Sequence, residues 1–539
     1  MRIALVRVSP RRESKYTSTF GFITPPLGLA CVAGAVRDIA RVKVIDAEAL
    51  KMSKDRLLKE LEDLDPDIVG FSLNASTYHN AVVQVAQELK KRGAGATIVT
   101  GGHHASFTYP ILLRQGVDYV VVGEGEQAFR DLVLEIENYG SPERVRGVAY
   151  ACSESKFCYY HRELVENLDL LPLPAYDLLD RNLYRIEVFG ENSRVAAVET
   201  ARGCPYECEF CSVTMFWGRK WRFKSNERIL RELEILKDLG YDWVMVVDDN
   251  FIVPSKLKER EQLLDEMKKR GLDRLNYIVQ MRSDLIASNP KIVEKLRDAG
   301  IRMVFLGIES GDESVLKAMK KSLDTAASVR AVEILSESGI LVHGGIVIGA
   351  PYERNENLKA TFKLVDLLLE RGLDGIQVAI YTPLPGTKAF YWALRTGRLL
   401  TLEWDYYDCL HPVLKTGLSP WRLLFESRMR PYIFFLKKWL KGRLDKLGRY
   451  SKPFAREAKR YILRNLPRYL LGFLTVPLRS IITPLTILAR PPKLSEEDIG
   501  MLHEVYLRRR AFMLVRRSAC EGGADPESVE AASTPSRAS

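Results

Sequence analysis

Histidine is scarce, at 7 of 539 residues, and the 8 cysteines are too few for a disulfide framework. Five are scattered (Cys31, Cys152, Cys158, Cys409 and Cys520), whereas Cys204, Cys208 and Cys211 crowd into one short stretch. That pattern excludes the small disulfide-stapled secreted proteins and reads as metal binding in a reducing compartment. No uncharged apolar run reaches the ~18 residues that a membrane-spanning helix needs. The longest, Tyr469 to Leu478 and Ser480 to Ala489, are ten residues each and contain proline, so no span is predicted. The opening MRIALVRVSPRR lacks an apolar h-region and a small-residue cleavage site, which predicts no secretory signal and a cytoplasmic protein.

Acidic charge is missing from one segment. Lys415 to Lys493 holds 19 Lys and Arg against 3 Asp and Glu, a local charge of +16 in a chain whose total is +11, so the remainder is net negative at −5. Hydrophobic content of 46% with 28% charge is ordinary for a multi-domain globular protein.

The apolar runs RIALVRV, RVKVIDA, DIVGFS, TIVTGG and YVVVGEG alternate with helical patterns up to about residue 138. This predicts an α/β domain with a parallel sheet and right-handed crossovers. Glycines close the strands at Gly101, Gly102 and Gly123, where open α/β sheets bind ligands. Residues 139–190 read as a linker with a hairpin. A second βα series of six units begins at Val195 (VAAVETARG, WVMVVDD, LNYIVQMR, RMVFLGIES, LVHGGIVIGA, GIQVAIYTPLPG) and predicts a partial barrel over residues 191–400. Residues 401–517 turn helical, basic and aromatic, and 518–539 are small and polar, as in a disordered tail.

The cysteines lie in RGCPYECEFCSV, spaced C-x3-C-x2-C after the first barrel strand, in the loop where barrels keep their active sites. Three thiolates ligate three irons of a cubane and leave the fourth iron open, whereas a structural zinc site needs four nearby ligands. With the aromatic Phe210 before the third cysteine, the stretch Val195 to Gly386 resembles the radical S-adenosylmethionine (SAM) superfamily. The resemblance implies a [4Fe–4S] cluster on Cys204, Cys208 and Cys211 that chelates SAM, and a reduced partner such as a ferredoxin or flavodoxin as electron donor. It puts Asp248 and Asp249 (VDDNF) near the SAM amino group, Arg282 (QMRSD) near its carboxylate and Glu309 (GIESG) against SAM. Gly345 and Gly349, in GGIVIGAPYE, would let backbone approach the adenine. Reductive SAM cleavage would then yield a 5′-deoxyadenosyl radical able to activate an unactivated carbon. No catalytic side chain is assigned.

The first 138 residues resemble the cobalamin-binding module that precedes the barrel in one large radical SAM subgroup, through PPLGLA, Asp46, PDIVGFS, VTGGHHAS and VDYVVVGEGE. The resemblance implies that Ser72, Gly101, Gly102, Gly123 and Glu124 lie on the loops that hold cobalamin. Modules that supply a lower axial histidine carry D-x-H-x-x-G after the first strand; here that loop reads VSPRRESKYTSTFGF, so the cofactor is expected base-off with no histidine below cobalt. His103 and His104 follow the GG pair and are expected to be solvated, with cofactor contact as the alternative.

For the basic segment a membrane-surface helix, a nucleic-acid patch and a helix packed on the barrel all stay open. In IFFLKKWLKGRL, Phe434, Phe435, Trp439 and Leu440 can dip into acyl chains while Lys437, Lys438 and Lys441 meet anionic head groups. A tRNA-modifying relative would bring another cysteine cluster and a C-terminal β-barrel, so nucleic acid is not expected. RGCPYECEFCSVTMFWGRKWR and WDYYDCLHPV resemble lipid-modifying members of the subgroup, the hopanoid C-3 methylases and archaeal tetraether ring synthases. Tyr407, Cys409 and His411 are then candidates for the pocket lining, with packing of a Tyr/His cluster as the equal alternative. The expected activity is cobalamin-dependent methylation of a membrane lipid at the inner face of the membrane. Ring formation on an isoprenoid lipid is the alternative, and a non-enzymatic cobalamin or iron–sulfur sensor the rival of another class.

Overall fold

The computed structural model describes residues 1–10, 23–140, 145–153, 156–190, 193–441, 452–488 and 495–521. Most of the histidine-less loop and the tail from residue 522 onward lie outside the described residues. The first sheet contains β1 (Arg2–Arg7), β2 (Arg41–Asp46), β3 (Ile68–Ser72), β4 (Thr97–Gly101), β5 (Tyr119–Val121), β6 (Val148–Ser153) and β7 (Lys156–Tyr159). Its order is β2-β1-β3-β4-β5-β6-β7, parallel through β5. The order reverses between β1 and β3, so the carboxyl ends of β1, β3, β4 and β5 form the ligand crevice of a doubly wound sheet. The hairpin expected inside the linker instead adds β6 and β7 antiparallel to this sheet, because Val148 and Ala149 continue its buried face. Cys152 and Cys158 face each other across that hairpin and are joined as a disulfide, where free thiols were expected.

The barrel strands are β8 (Val195–Val198), β11 (Trp243–Val246), β12 (Asn276–Met281), β13 (Ile301–Glu309), β14 (Leu341–Ile348) and β15 (Gly375–Ile380). They are parallel and hydrogen-bonded in chain order. The short strands β9 (Ala201–Arg202) and β10 (Arg222–Phe223) form a separate antiparallel ribbon. Val198, Val244, Val279, Leu306, Ile346 and Val378 pack outward against the crossover helices. Their alternate neighbours Gln280, Phe305, Val347, Gln377 and Ala379 stay exposed or half-buried along the concave side.

After the barrel, helix Pro420–Leu440 lies along the edge of β15, where Ser427 Oγ donates to the Val378 carbonyl at 2.6 Å. The cations assigned to lipid head groups are used here. Lys437 pairs with Asp366 at 2.6 Å, Lys441 with Glu370 at 2.8 Å, and Lys438, 3% exposed, with Asp374 at 2.7 Å. Phe434 is buried in the barrel core, Phe435 and Leu440 are exposed, and the Trp439 side chain lies outside the described residues. The composition suited a membrane helix, but the carboxylates that satisfy it come from the preceding helix and the turn before β15.

Helix Lys452–Leu488 follows and carries the opposite surface. Val476, Ser480 and Ile487 pack inward, while Leu463, Leu466, Leu470, Leu471, Leu474, Leu478, Ile481, Ile482 and Leu485 are all exposed. These positions recur at helical spacing and make one aliphatic face. No single described helix is long and apolar enough to cross a membrane; the segments Leu463–Leu478 and Ser480–Ile487 meet at 55°, beside Pro477 and Pro484. Helix Glu496–Glu521 then returns to the first domain, placing Val505 in that domain's core and pairing Glu497 and Asp498 with Arg114.

Candidate cofactor site between the two domains

The β9–β10 ribbon closes the base of the loop that carries all three cysteines. Gly203 opens it at φ +95°, and a Cβ there would strike the Lys220 carbonyl, so only glycine fits. The thiols are half-buried, and Asn250 Nδ2 reaches Cys204 Sγ at 3.2 Å. Burial pushes all three thiols up, Cys211 to about 12. A cation must therefore displace their protons to make ligands of them. No three His, Cys, Asp or Glu side chains among the described residues gather round one ion. A cubane instead asks for thiolates that each take a separate iron, and this soft, loop-borne set fits one.

The other predicted residues ring the mouth with unequal freedom. Burial, with the neighbouring Asp248 and Glu199 charges, pushes the Asp249 carboxyl up to about 7. Asp248 plays a different part from the one expected. Its carboxylate accepts from Thr200 N at 2.7 Å, Ala201 N at 3.1 Å and Thr200 Oγ1, with Arg260 at 3.6 Å, so it fixes the backbone between β8 and β9. Arg282 spans Asp284 at 2.8 Å and lies 3.7 Å over the Tyr206 ring inside the cysteine loop. Glu309 adopts φ +64° at a bulge in β13 and pairs with Lys321 at 2.8 Å. Such a left-handed acidic residue at a strand end is strained, and strain of this kind gathers at functional sites.

Gly345 sits where a Cβ would meet the Phe305 ring at 3.0 Å, and Gly349, at φ +83°, donates its N–H to Glu353. Phe210 meets Tyr381 edge-on at 6.3 Å, beside the end of β15. There Ile380 N donates to the Cys409 carbonyl at 2.6 Å. His411 pairs with Asp408 at 2.9 Å, whereas Tyr407 is buried and spends its hydroxyl on the Thr401 carbonyl, so Tyr407 is packing and not lining.

On the first domain, Ser72, Gly101 and Gly102 stand half-exposed at the ends of β3 and β4. A Cβ on Gly102 would strike Asn74 and come within 2.9 Å of the Leu73 carbonyl, so backbone approaches closely. Glu124 departs from its expected cofactor role. Its carboxylate accepts from Arg202 Nη1 at 2.8 Å, Arg222 Nη1 at 2.9 Å and Val165 N at 2.6 Å, all fully buried or nearly so. Arg202 also takes Glu126 at 2.5 Å and Glu199 at 2.7 Å. These arginines were invisible as site residues; the adjacency Arg202-Gly203-Cys204 was the available signal. His104 is buried and His103 half-buried, rather than solvated. His104 joins Ser76 at 2.8 Å and His79 at 2.9 Å, and His103 stacks on Phe216 at 3.7 Å.

Two family models match the chain in order: the B12 binding domain over residues 14–133 and the radical SAM superfamily over 198–385. An uncharacterised methyltransferase of Pyrococcus horikoshii is 32% identical over 438 residues, 81% of this chain and 92% of its own. The hopanoid C-3 methylase of Methylococcus capsulatus is 29% identical, over 78% of this chain and 77% of its own. Among solved structures, the cobalamin-dependent SAM radical enzyme OxsB with aqua-cobalamin and SAM bound shares the fold, at a TM-score of 0.65 and 17% identity over 96% of this chain and 79% of that one. With a relative of that identity matched along almost its whole length, the chain belongs to the radical SAM enzymes with an N-terminal B12-binding domain. That family includes cobalamin-dependent methyltransferases and uses a [4Fe–4S] cluster, SAM and cobalamin.

Proposed function

We propose that this enzyme methylates an unactivated carbon of a membrane lipid, drawn from the inner face of the bilayer. The observation that carries the lipid reading is helix Lys452–Leu488, open on one face and packed beside the barrel mouth on the other. Its exposed aliphatic face runs for about 30 Å of helix. Its end, Ile487, enters the buried cluster that holds Phe216, Tyr381 and Trp404 and packs against Phe210, the neighbour of Cys211. The helix that carries the open aliphatic face is thus anchored, by its inward side, in the cluster beside the cysteine loop. The hopanoid methylase relative supports the same substrate class.

When bound, the reduced cluster and SAM supply the hydrogen-abstracting radical and cobalamin supplies the methyl group. The protein's own part is placement. The ribbon-closed loop presents three thiols, Arg282 and Lys321 bring positive charge to the mouth, and Asp249 offers a carboxyl that burial pushes up to about 7. The concave side around Phe305, Val347 and Ala379 excludes water from the reacting carbon. The bilayer contact rests on aliphatic side chains.

Reconstituted, reduced enzyme given SAM, cobalamin and a membrane lipid extract should release 5′-deoxyadenosine and S-adenosylhomocysteine together, with a lipid heavier by one methylene. Cys211→Ala should abolish both products. Release of 5′-deoxyadenosine with no S-adenosylhomocysteine would turn the reading to ring closure, and cluster and cofactor binding without turnover would turn it to a sensor.

A further inference from the structure

Arg509 belongs to neither the cysteine loop nor the barrel mouth. It stands on helix Glu496–Glu521, far from both domains in sequence, yet its side chain is only 8% exposed and its Nη2 has no hydrogen-bond partner. A guanidinium taken out of water costs several kcal/mol unless an anion meets it. The face of Phe107 lies 5.7 Å from its centre. The acid nearest in sequence to its contact point, Glu124, is consumed by Arg202 and Arg222.

The position of the unmatched charge is informative. Nη2 lies 3.7 Å from where a Cβ of Gly123 would stand, at the carboxyl end of β5, on the rim shared with Ser72, Gly101 and Gly102. It is held there by packing on both sides, with Val505 in the first domain's core and Leu502 and Tyr506 in the aromatic cluster. A buried, rigidly placed guanidinium whose Nη2 is unmet among the described residues, on a ligand rim, is a receptor for an anionic oxygen group. Cobalamin carries one permanently ionised group, the phosphodiester of its nucleotide tail, and the amides round its corrin are neutral. A planar fork of donors suits a phosphodiester better than it suits an amide.

We propose that Arg509 binds the phosphodiester of the cobalamin nucleotide tail, so that the C-terminal helix supplies a residue to the cofactor site of the first domain. The inference rests on cobalamin binding at that sheet, and the test separates the two. Dissociation constants of the full chain are measured by equilibrium dialysis against hydroxocobalamin and against cobinamide, which keeps the corrin and lacks the nucleotide tail with its phosphodiester. Arg509→Gln should weaken cobalamin by roughly ten- to hundredfold, the worth of a charge-assisted hydrogen bond, and leave cobinamide unchanged. Arg509→Lys, which keeps the charge and loses the fork, should fall between. Cobinamide binding shows that a variant is folded; should Arg509→Gln fail it, the Arg509→Lys ratio decides. Equal losses for both ligands, or no loss for either, would overturn the assignment. Binding of neither ligand by the wild type would overturn it together with the cobalamin reading. A third arm adds inorganic phosphate: protection of the wild type but not of Arg509→Gln against heat, with the cobalamin-to-cobinamide ratio unmoved, would make the ligand free phosphate and refute the cobalamin contact.

Discussion

Helices Pro420–Leu440 and Lys452–Leu488 are built from the same residues, Lys and Arg among Leu, Phe and Tyr, and they end up presenting different surfaces. In the first, Lys437, Lys438 and Lys441 each find a carboxylate on the barrel. In the second, the exposed face is aliphatic from Leu463 to Leu485. Basic amphipathic composition therefore says little about membranes until the partners of the charges are known. The informative quantity is the apolar area left open.

The contrast breaks most sharply at the leucines. Leu470→Glu, Leu474→Glu and Leu478→Glu together should cut co-flotation with zwitterionic vesicles by roughly hundredfold or more, given the ~2 kcal/mol that each buried leucine contributes. Wild-type flotation should survive high salt, because insertion of hydrocarbon is not screened; loss of flotation in salt would show that head-group charge dominates after all. Next in size is Lys438→Met, which strands Asp374 in a buried setting and should cost about 3 kcal/mol of stability in denaturant titrations while vesicle binding stays as it was.

Acid should act between these extremes and only on the packed side of the molecule. Burial lowers the His79 imidazole to about 4 and that of His104 well below its usual 6.5. The unfolded chain then binds more protons below 6.5, so the stability present above that pH is lost as pH falls toward the folded values. From pH 7 to pH 6 the two should remove about 1 kcal/mol, read as a falling thermal midpoint. His79→Gln should flatten that slope. The smallest effect belongs to Lys437→Ala and Lys441→Ala, whose half-exposed pairs contribute under about 1 kcal/mol each. A large loss of flotation in either would contradict the division between the two helices.

The legible parts of the sequence were those whose chemistry is local. Parallel strands announced themselves as apolar runs, and three thiols within one loop needed no tertiary knowledge to be read as cluster ligands. The misread parts depended on partners far along the chain. Glu124 looked like a cofactor-loop acid until Arg202 and Arg222 claimed it. Asp248 looked like its neighbour Asp249, yet three donors from Thr200 and Ala201 turn it inward. His103 and His104 looked solvated because nothing nearby in sequence shows that Phe216 and His79 cover them. Arg509 carries no local signal, since its meaning comes from a helix that crosses back to the first domain.

Arg202 stands two residues before Cys204, and its guanidinium is gripped by Glu124 and Glu126 of the other domain. The two cofactor supports are in that sense one casting. A barrel expressed without the first domain would leave this formerly buried arginine with Glu199 but without its two partners across the joint, and a first domain alone would present two glutamates stripped of it. Swapping either half for a relative's then requires matching this ionic joint before any question of substrate arises, which ties the lineage of the metal loop to that of the domain beside it.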